Sequence, residues 1–275
     1  MNEGLSGIKN IIWSMGIVLS LLALLVGLVF SISNRFYGQR EDPTLDLNDP
    51  KALTGDKVPI TAGSDSAALK ELPGTQDAGL EYFFNLTFIC DGTVLGINDY
   101  STGFGGTATA QLWSDDGSGF PASAASDVKI FYPADGSMLT VAEAAKLSQP
   151  KRVVIFIGGD GLSAATEESF VSGYTALIRG IQSSSPATST VICCSLSSVT
   201  PAYAGIESLS PSLIAQANEW IRQVCIDTGV YFADLASVLN DGDGYLTAEY
   251  ALMDGKTLNT TGVSKLIEYF RMHAA

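Results

Sequence analysis

The fold is decided by residues 151–161, which have the sequence KRVVIFIGGDG. A continuous apolar run, preceded by two basic residues and followed directly by glycine, is typical of a strand buried on both faces of a sheet. We therefore predict a buried strand over residues 152–157. Ligands bind at the carboxyl ends of strands in such sheets, so the turn Gly158–Gly161 is the first candidate site.

On both sides of this strand, short apolar runs alternate with helical periods. Strands are predicted over 82–90, 127–132, 190–194 and 230–233, and helices over 139–147, 167–182 and 262–272. One more helix is predicted between Ser210, a cap residue followed by proline, and Gly229, which ends it. This alternation predicts an α/β fold with a mostly parallel sheet covered by helices on both faces.

Composition excludes several classes of protein. The 275 residues are 46% hydrophobic and 16% charged, which is too apolar for a disordered chain. The formal net charge of −14 argues against a nucleic-acid partner, which normally requires a basic surface. The four cysteines follow neither a zinc nor a disulfide pattern, and we interpret them as small buried apolar residues. No cofactor motif is present, and the single histidine is His273.

The N-terminal part of the chain predicts a membrane anchor. Residues 11–32 carry no charge and would span about 33 Å as a helix, enough to cross a hydrocarbon core of about 30 Å. The run is longer than the apolar region of a cleaved signal peptide. We therefore expect a tail over 1–10, a transmembrane anchor over 11–32, a flexible stalk over 33–79 and a folded domain over 80–275. We expect that domain outside the cell, although the flanking basic residues are nearly balanced.

Three short blocks lie at or near strand ends or before the last helix. They are Asp91-Gly92-Thr93, Gly158-Gly159-Asp160-Gly161 and Asp254-Gly255-Lys256-Thr257-Leu258-Asn259. In this order they resemble the blocks of the SGNH/GDSL hydrolase family, particularly its bacterial membrane-anchored members. The resemblance extends from about residue 80 to the C-terminus. It implies a three-layer α/β/α sandwich and an ester-hydrolase cleft.

The resemblance also implies a role for each block, and this chain departs from the family at the reactive positions. The family's nucleophilic serine is replaced by Gly92, its oxyanion-binding asparagine by Asp160 and its histidine base by Thr257. Glycine has no nucleophile, an ionised carboxylate offers only acceptors, and a neutral hydroxyl is a poor base. Only Asp91 and Asp254 are retained, and both can cap turns by accepting backbone N–H bonds.

These substitutions leave three hypotheses. The first is a pseudoenzyme that binds a glycan, an acyl group or a protein through the former cleft. The second is an active esterase that uses another nucleophile, such as Thr93, Ser101 or Ser163. The third is a divalent-cation site made by Asp91, Asp160 and Asp254. The predicted binding cleft consists of Asp91, Gly92, Thr93, Gly158, Gly159, Asp160, Asp254 and Thr257.

Overall fold

A six-stranded parallel sheet forms the centre of the domain. The computed structural model describes residues 68–97, 112–204 and 209–275. The strands of the sheet lie in the order β1-β8-β7-β6-β2-β3, and every pairing between neighbours is parallel. Their bounds are β1 Lys70–Glu71, β2 Thr87–Cys90, β3 Leu112–Ser114, β6 Arg152–Phe156, β7 Thr190–Cys194 and β8 Tyr231–Ala233. A separate antiparallel pair consists of β4 Lys129–Phe131 and β5 Met138–Thr140.

The α-helices connect these strands. Their bounds are α1 Gly79–Phe84, α2 Val141–Ser148, α3 Glu167–Ser184, α4 Pro201–Ala204, α5 Pro211–Thr228, α6 Ala236–Leu239 and α7 Thr260–Met272. Local chemistry determines where several of them begin. Thr140 and Glu143 form a capping box at the start of α2, and the Asn259 side chain accepts the first free amides of α7. As predicted, Ser210 caps α5, and Gly229 ends it in the left-handed conformation.

The core consists of two apolar clusters, one on each face of the sheet. One cluster packs α2, α3 and α5 against residues such as Ile155 and Cys193. The other packs α7 against alternate residues of the same strands, including Phe156 and Cys194. Because side chains alternate along a strand, both faces are covered and the domain has three layers. All four cysteines are free and buried, as predicted.

Three sequence predictions differ from the observed elements. Residues 82–84, expected in a strand, belong to α1, because Asn85 favours a helix end over a strand interior and donates from Nδ2 to Glu81 O (2.9 Å). The strand expected at 127–132 is observed as β4, which pairs with β5 outside the main sheet. Strand β1 lies within the expected stalk, so at least residues 70–79 belong to the folded domain.

The predicted anchor over 11–32 lies outside the described residues. No helix within 68–97, 112–204 or 209–275 is long and apolar enough to cross a membrane.

Two glycines of α3 provide a test of the packing between this helix and the loop before β4. A methyl group at Gly173 would meet the Ala122 carbonyl oxygen and lie 2.6 Å from the Ser123 carbonyl carbon. A methyl group at Gly180 would meet only Ala142 Cβ at 3.5 Å, an ordinary contact.

We predict that Gly173→Ala lowers the free energy of unfolding by about 1–3 kcal/mol through this clash. Gly180→Ala, on the same helix, should raise it by up to about 1 kcal/mol, because alanine is the better helix former. Urea denaturation of the purified full-length chain measures both changes. Equal effects of the two substitutions would contradict the packing described above.

Candidate functional site

Two turns meet at the carboxyl edge of the sheet. Strand β2 lies between β3 and β6, and the chain leaves β2 toward one side of the sheet and β6 toward the other. Such a reversal of strand order leaves a crevice between the ends of the two strands. Residues 91–94 follow β2 and residues 158–161 follow β6, so both turns border this crevice. These are the two strand-end turns that the sequence predicted as part of a binding cleft, and whether they bind a ligand stays a prediction.

Asp91 organises the first turn. Its Oδ1 accepts hydrogen bonds from the Thr93 amide (3.0 Å) and the Thr93 hydroxyl (2.5 Å). Burial raises the pKa of Asp91 to about 6. The bonds from Thr93 lower it, the nearby Asp160 carboxylate raises it, and the Gly159 amide lowers it. That amide faces the carboxylate but does not reach hydrogen-bonding geometry, and Asp91 Oδ2 has no partner among the described residues.

Gly92, at the tip of this turn, opens into a cleft. The cleft has a volume of about 600 Å³. A Cβ at Gly92 would meet nothing within 4 Å, so the space normally occupied by a side chain is free. Thr257 lines the same cleft. The other lining residues are Leu95, Gly96, Leu112, Ser114, Phe131, Pro133, Leu252, Leu258, Asn259 and Thr260.

Asp254 holds Thr257 in place. The Thr257 hydroxyl donates to Asp254 Oδ2 (2.6 Å), and the Thr257 and Lys256 amides donate to Oδ1 (3.0 and 3.1 Å). Burial pushes the pKa of Asp254 up, but these bonds outweigh it and keep the pKa below its ordinary value. The Thr257 proton is therefore held by a carboxylate. This hydroxyl is a hydrogen-bond donor to Asp254, not a general base.

Asp160 in the second turn also has a structural partner. Its Oδ2 accepts a hydrogen bond from the Phe120 amide (2.8 Å), which fastens a distant loop to this turn. An ionised carboxylate in this position cannot donate to an oxyanion.

Gly158 is required in the same turn for packing. Its φ is +123°, and a Cβ there would lie 2.9 Å from the Phe170 ring, so this position requires glycine for packing.

Comparison with known proteins assigns the family. The model of the GDSL-like lipase/acylhydrolase family matches residues 96–255, more than half of the chain. The chain belongs to this family. The match includes Asp160 and Asp254 but begins after Asp91-Gly92-Thr93 and ends before Thr257. The two positions that would carry the family's nucleophile and base therefore lie outside the matched residues.

Two solved structures illustrate the similarity in chain path. A GDSL-like lipase from Bacteroides thetaiotaomicron is 15% identical, with a TM-score of 0.48, over 68% of this chain and 85% of that one. A family 3 carbohydrate esterase from Clostridium thermocellum is 16% identical, with a TM-score of 0.42, over 68% of this chain and 93% of that one. No curated protein matches the sequence significantly.

Other candidate groups of this GDSL-like chain do not form a triad among the described residues. The Thr93 hydroxyl donates to Asp91, and Ser163 is exposed in a 3₁₀ turn. Ser101 lies outside the described residues. His273 stacks on Tyr269, near the end of α7. The chain terminus two residues later binds Arg152 at the start of β6 (2.6 Å), at the sheet edge opposite the cleft.

The carboxylates do not converge as the cation hypothesis required. Asp91 and Asp160 are close enough for one charge to raise the pKa of the other. Asp254 instead binds the backbone and hydroxyl of its own turn. Within the described part of the chain, no three His, Cys, Asp or Glu side chains are placed to hold a metal ion. The prediction of a three-carboxylate site is therefore wrong.

Sequence reasoning did not identify the apolar part of the cleft. Leu112 lies in β3, a strand of three residues that is too short to show a period. Phe131 was expected in a strand, but its position at the cleft depends on the antiparallel pair β4–β5. Its exposed fraction of 52% was the opposite of what an aromatic residue in a buried strand suggests.

The buried carboxyl of Asp91 generates a prediction about pH. Its pKa is raised from the ordinary value of 3.8 to about 6, so the native state binds its proton more tightly than the unfolded state. The stabilisation is fully present below pH 4 and is lost as the pH rises through 6. Relative to the unaltered chain, Asp91→Asn should gain up to about 3 kcal/mol of stability between pH 4 and 7.

Urea denaturation of both chains from pH 4 to 7 measures this difference. Asp135→Asn is the control. The hydrogen bonds from Ser137 lower the pKa of this exposed carboxyl, so its contribution is present above pH 4 and is lost as the pH falls. The free energies of unfolding of Asp91→Asn and the unaltered chain are compared at each pH. A difference that stays constant from pH 4 to 7 would contradict the buried environment of Asp91.

Proposed function

We propose that this chain is a membrane-anchored, non-hydrolytic member of the GDSL-like family. In this proposal it binds a glycan, an acyl group or a protein through the cleft between Gly92 and Thr257. The observation that carries it is the pairing at the base position. Where a histidine would accept a proton, the Thr257 hydroxyl donates one to Asp254 at 2.6 Å.

The nucleophile and oxyanion positions support the same proposal. Gly92 leaves open space where a hydroxyl would attack. Asp160 offers an acceptor where a donor is needed. Removal of one such group leaves residual catalysis from the others, whereas the absence of all three leaves little. The cleft itself persists at about 600 Å³, which is within the usual size of a site for a small ligand.

An ester-hydrolysis assay tests this proposal. We expect the purified full-length chain to hydrolyse p-nitrophenyl acetate no faster than buffer. The triple variant Gly92→Ser/Asp160→Asn/Thr257→His should exceed it at least about tenfold, because a positioned base alone contributes about 10²–10⁴-fold. The open space at Gly92 should accept serine without strain.

The matched control is Gly92→Ala/Asp160→Asn/Thr257→His, which has the same backbone and base but no hydroxyl. It should remain as slow as the unaltered chain. Turnover by the unaltered chain, together with labelling by a serine-reactive fluorophosphonate, would instead favour the active-esterase alternative with another nucleophile.

The proposed anchor rests on the charge-free run over residues 11–32, and the external location of the domain rests on its acidic composition. Expressed in a bacterium, the full-length chain should remain in carbonate-washed membranes, whereas a chain lacking residues 1–33 should be released. Protease added to spheroplasts should degrade the domain of the full-length chain. Retention of the shortened chain in the membranes would contradict the anchor, and protection from protease would contradict the orientation.

A further inference from the structure

A second, smaller cavity is lined by the residues on either side of Gly92, Asp91 and Thr93. Its volume is about 80 Å³. A cavity needs about 10–15 Å³ to hold one water, so this one takes a group of only a few non-hydrogen atoms. Asp91, Thr93 and Asp160 line it together with Ser197, Ser198 and Lys256. Its apolar walls are Phe156, Leu162, Leu196, Val199, Leu209 and Ile214.

Two buried oxygen atoms of residues that line this cavity lack hydrogen-bond partners. Asp91 is completely buried and Ser198 is 2% exposed. Within the described part of the chain, neither Asp91 Oδ2 nor Ser198 Oγ makes a hydrogen bond. The two residues follow different strands, β2 and β7, so their oxygens belong to independent parts of the fold. A buried polar atom without a partner is costly, and a pair beside one cavity indicates that something occupies it.

The charge at this cavity favours a cationic occupant. Asp91 and Asp160 interact with one another, and the Phe120 amide satisfies only one oxygen of Asp160. Lys256 also lines the cavity, and its Nζ lies 5.5 Å from the centroid of the Tyr203 ring. One ammonium does not neutralise two carboxylates. An anion or a developing oxyanion would be repelled, whereas a donor with a positive charge would satisfy both the charge and the free oxygens.

We propose that this cavity binds a small primary ammonium group, which donates to Asp91 Oδ2 and Ser198 Oγ and has Asp160 as its counter-ion. The apolar walls would hold the carbon attached to the nitrogen. The proposal rests on the proposed function in one respect, because it treats Asp160, at the family's oxyanion position, as a binding group and not as part of a reaction site. It adds the chemical class of the ligand: a primary amine in its charged form.

The volume and the chemistry of the cavity distinguish this ligand from others. A quaternary ammonium has no N–H to donate and is larger than a primary one. A divalent metal ion needs six or more oxygen ligands, and within the described residues no three His, Cys, Asp or Glu side chains are placed to hold one. Water alone would satisfy the hydrogen bonds but not the charge.

Titration of the purified full-length chain with methylammonium chloride tests the proposal, with thermal melts and calorimetry as measurements. Sodium chloride, tetramethylammonium chloride and magnesium chloride at equal ionic strength are the comparison salts. We expect methylammonium to raise the melting temperature and tetramethylammonium to match sodium. Asp160→Asn and Ser198→Ala should each weaken methylammonium binding, the first by about tenfold, because the negative charge that balances the ammonium is lost. Asp135→Asn, on the surface, should bind like the unaltered chain.

Several results would overturn the proposal. They are equal shifts with methylammonium and sodium, undiminished binding to Asp160→Asn, or a larger, Asp160-dependent shift with magnesium. If Ser198→Ala fails to fold, Asp160→Asn still tests the ammonium site, because asparagine has nearly the same size as aspartate. The ester assay keeps the two proposals separate: hydrolysis by the unaltered chain with normal methylammonium binding contradicts only the proposed function. Absence of both hydrolysis and binding contradicts only the ammonium site.

Discussion

The buried carboxyl of Asp91 is the constraint on which the rest of the site depends. It lies where β2 ends between two neighbouring strands, and its Oδ1 fixes the turn by accepting both the amide and the hydroxyl of Thr93. That turn presents Gly92 to the larger cleft and leaves Oδ2 for the smaller cavity. Burial, together with the charge of Asp160, raises the pKa of this carboxyl to about 6. A single side chain thus fixes the turn at the larger cleft and contributes charge to the smaller cavity.

In this fold, the residues that hold the turns by hydrogen bonds can be kept without the groups that would move protons. Asp254 binds two backbone amides and a hydroxyl, as a turn-capping carboxylate does anywhere. Thr257 keeps a bond to this carboxylate without being able to accept a proton from a nucleophile. One oxygen of Asp160 likewise accepts a hydrogen bond from the Phe120 amide. The turns that carry Gly92 and Thr257 are therefore hydrogen-bonded without a nucleophile or a histidine at these positions, and membership of the family does not by itself imply its chemistry.

The sequence predicted an element correctly where its capping residues and its pattern of apolar residues agree. The strand at 152–156 and the helix that starts at Pro211 were predicted within two residues, because a buried run and a capped period are local signals. The strand-end turns could be placed at one edge because parallel strands share it. Strand β1 could not be found, since Lys70 and Glu71 are both exposed and carry no apolar pattern. Pairings such as Phe120 with Asp160 join residues 40 apart and depend on the whole fold.

The change at Asp160 has a consequence that none of the other substitutions has. Gly92 and Thr257 only lack the family's nucleophile and base. Asp160 differs, because a carboxylate in place of an amide changes the hydrogen-bonding group at this position from a donor to an acceptor. A drifting site would be expected to fill its cavities with apolar side chains, because unpaired buried polar atoms are costly. Here the 80 Å³ cavity keeps a buried carboxylate oxygen and a buried hydroxyl. These two groups need a hydrogen-bond donor, and the carboxylates of Asp91 and Asp160 beside them are the reason to look for a donor that is cationic.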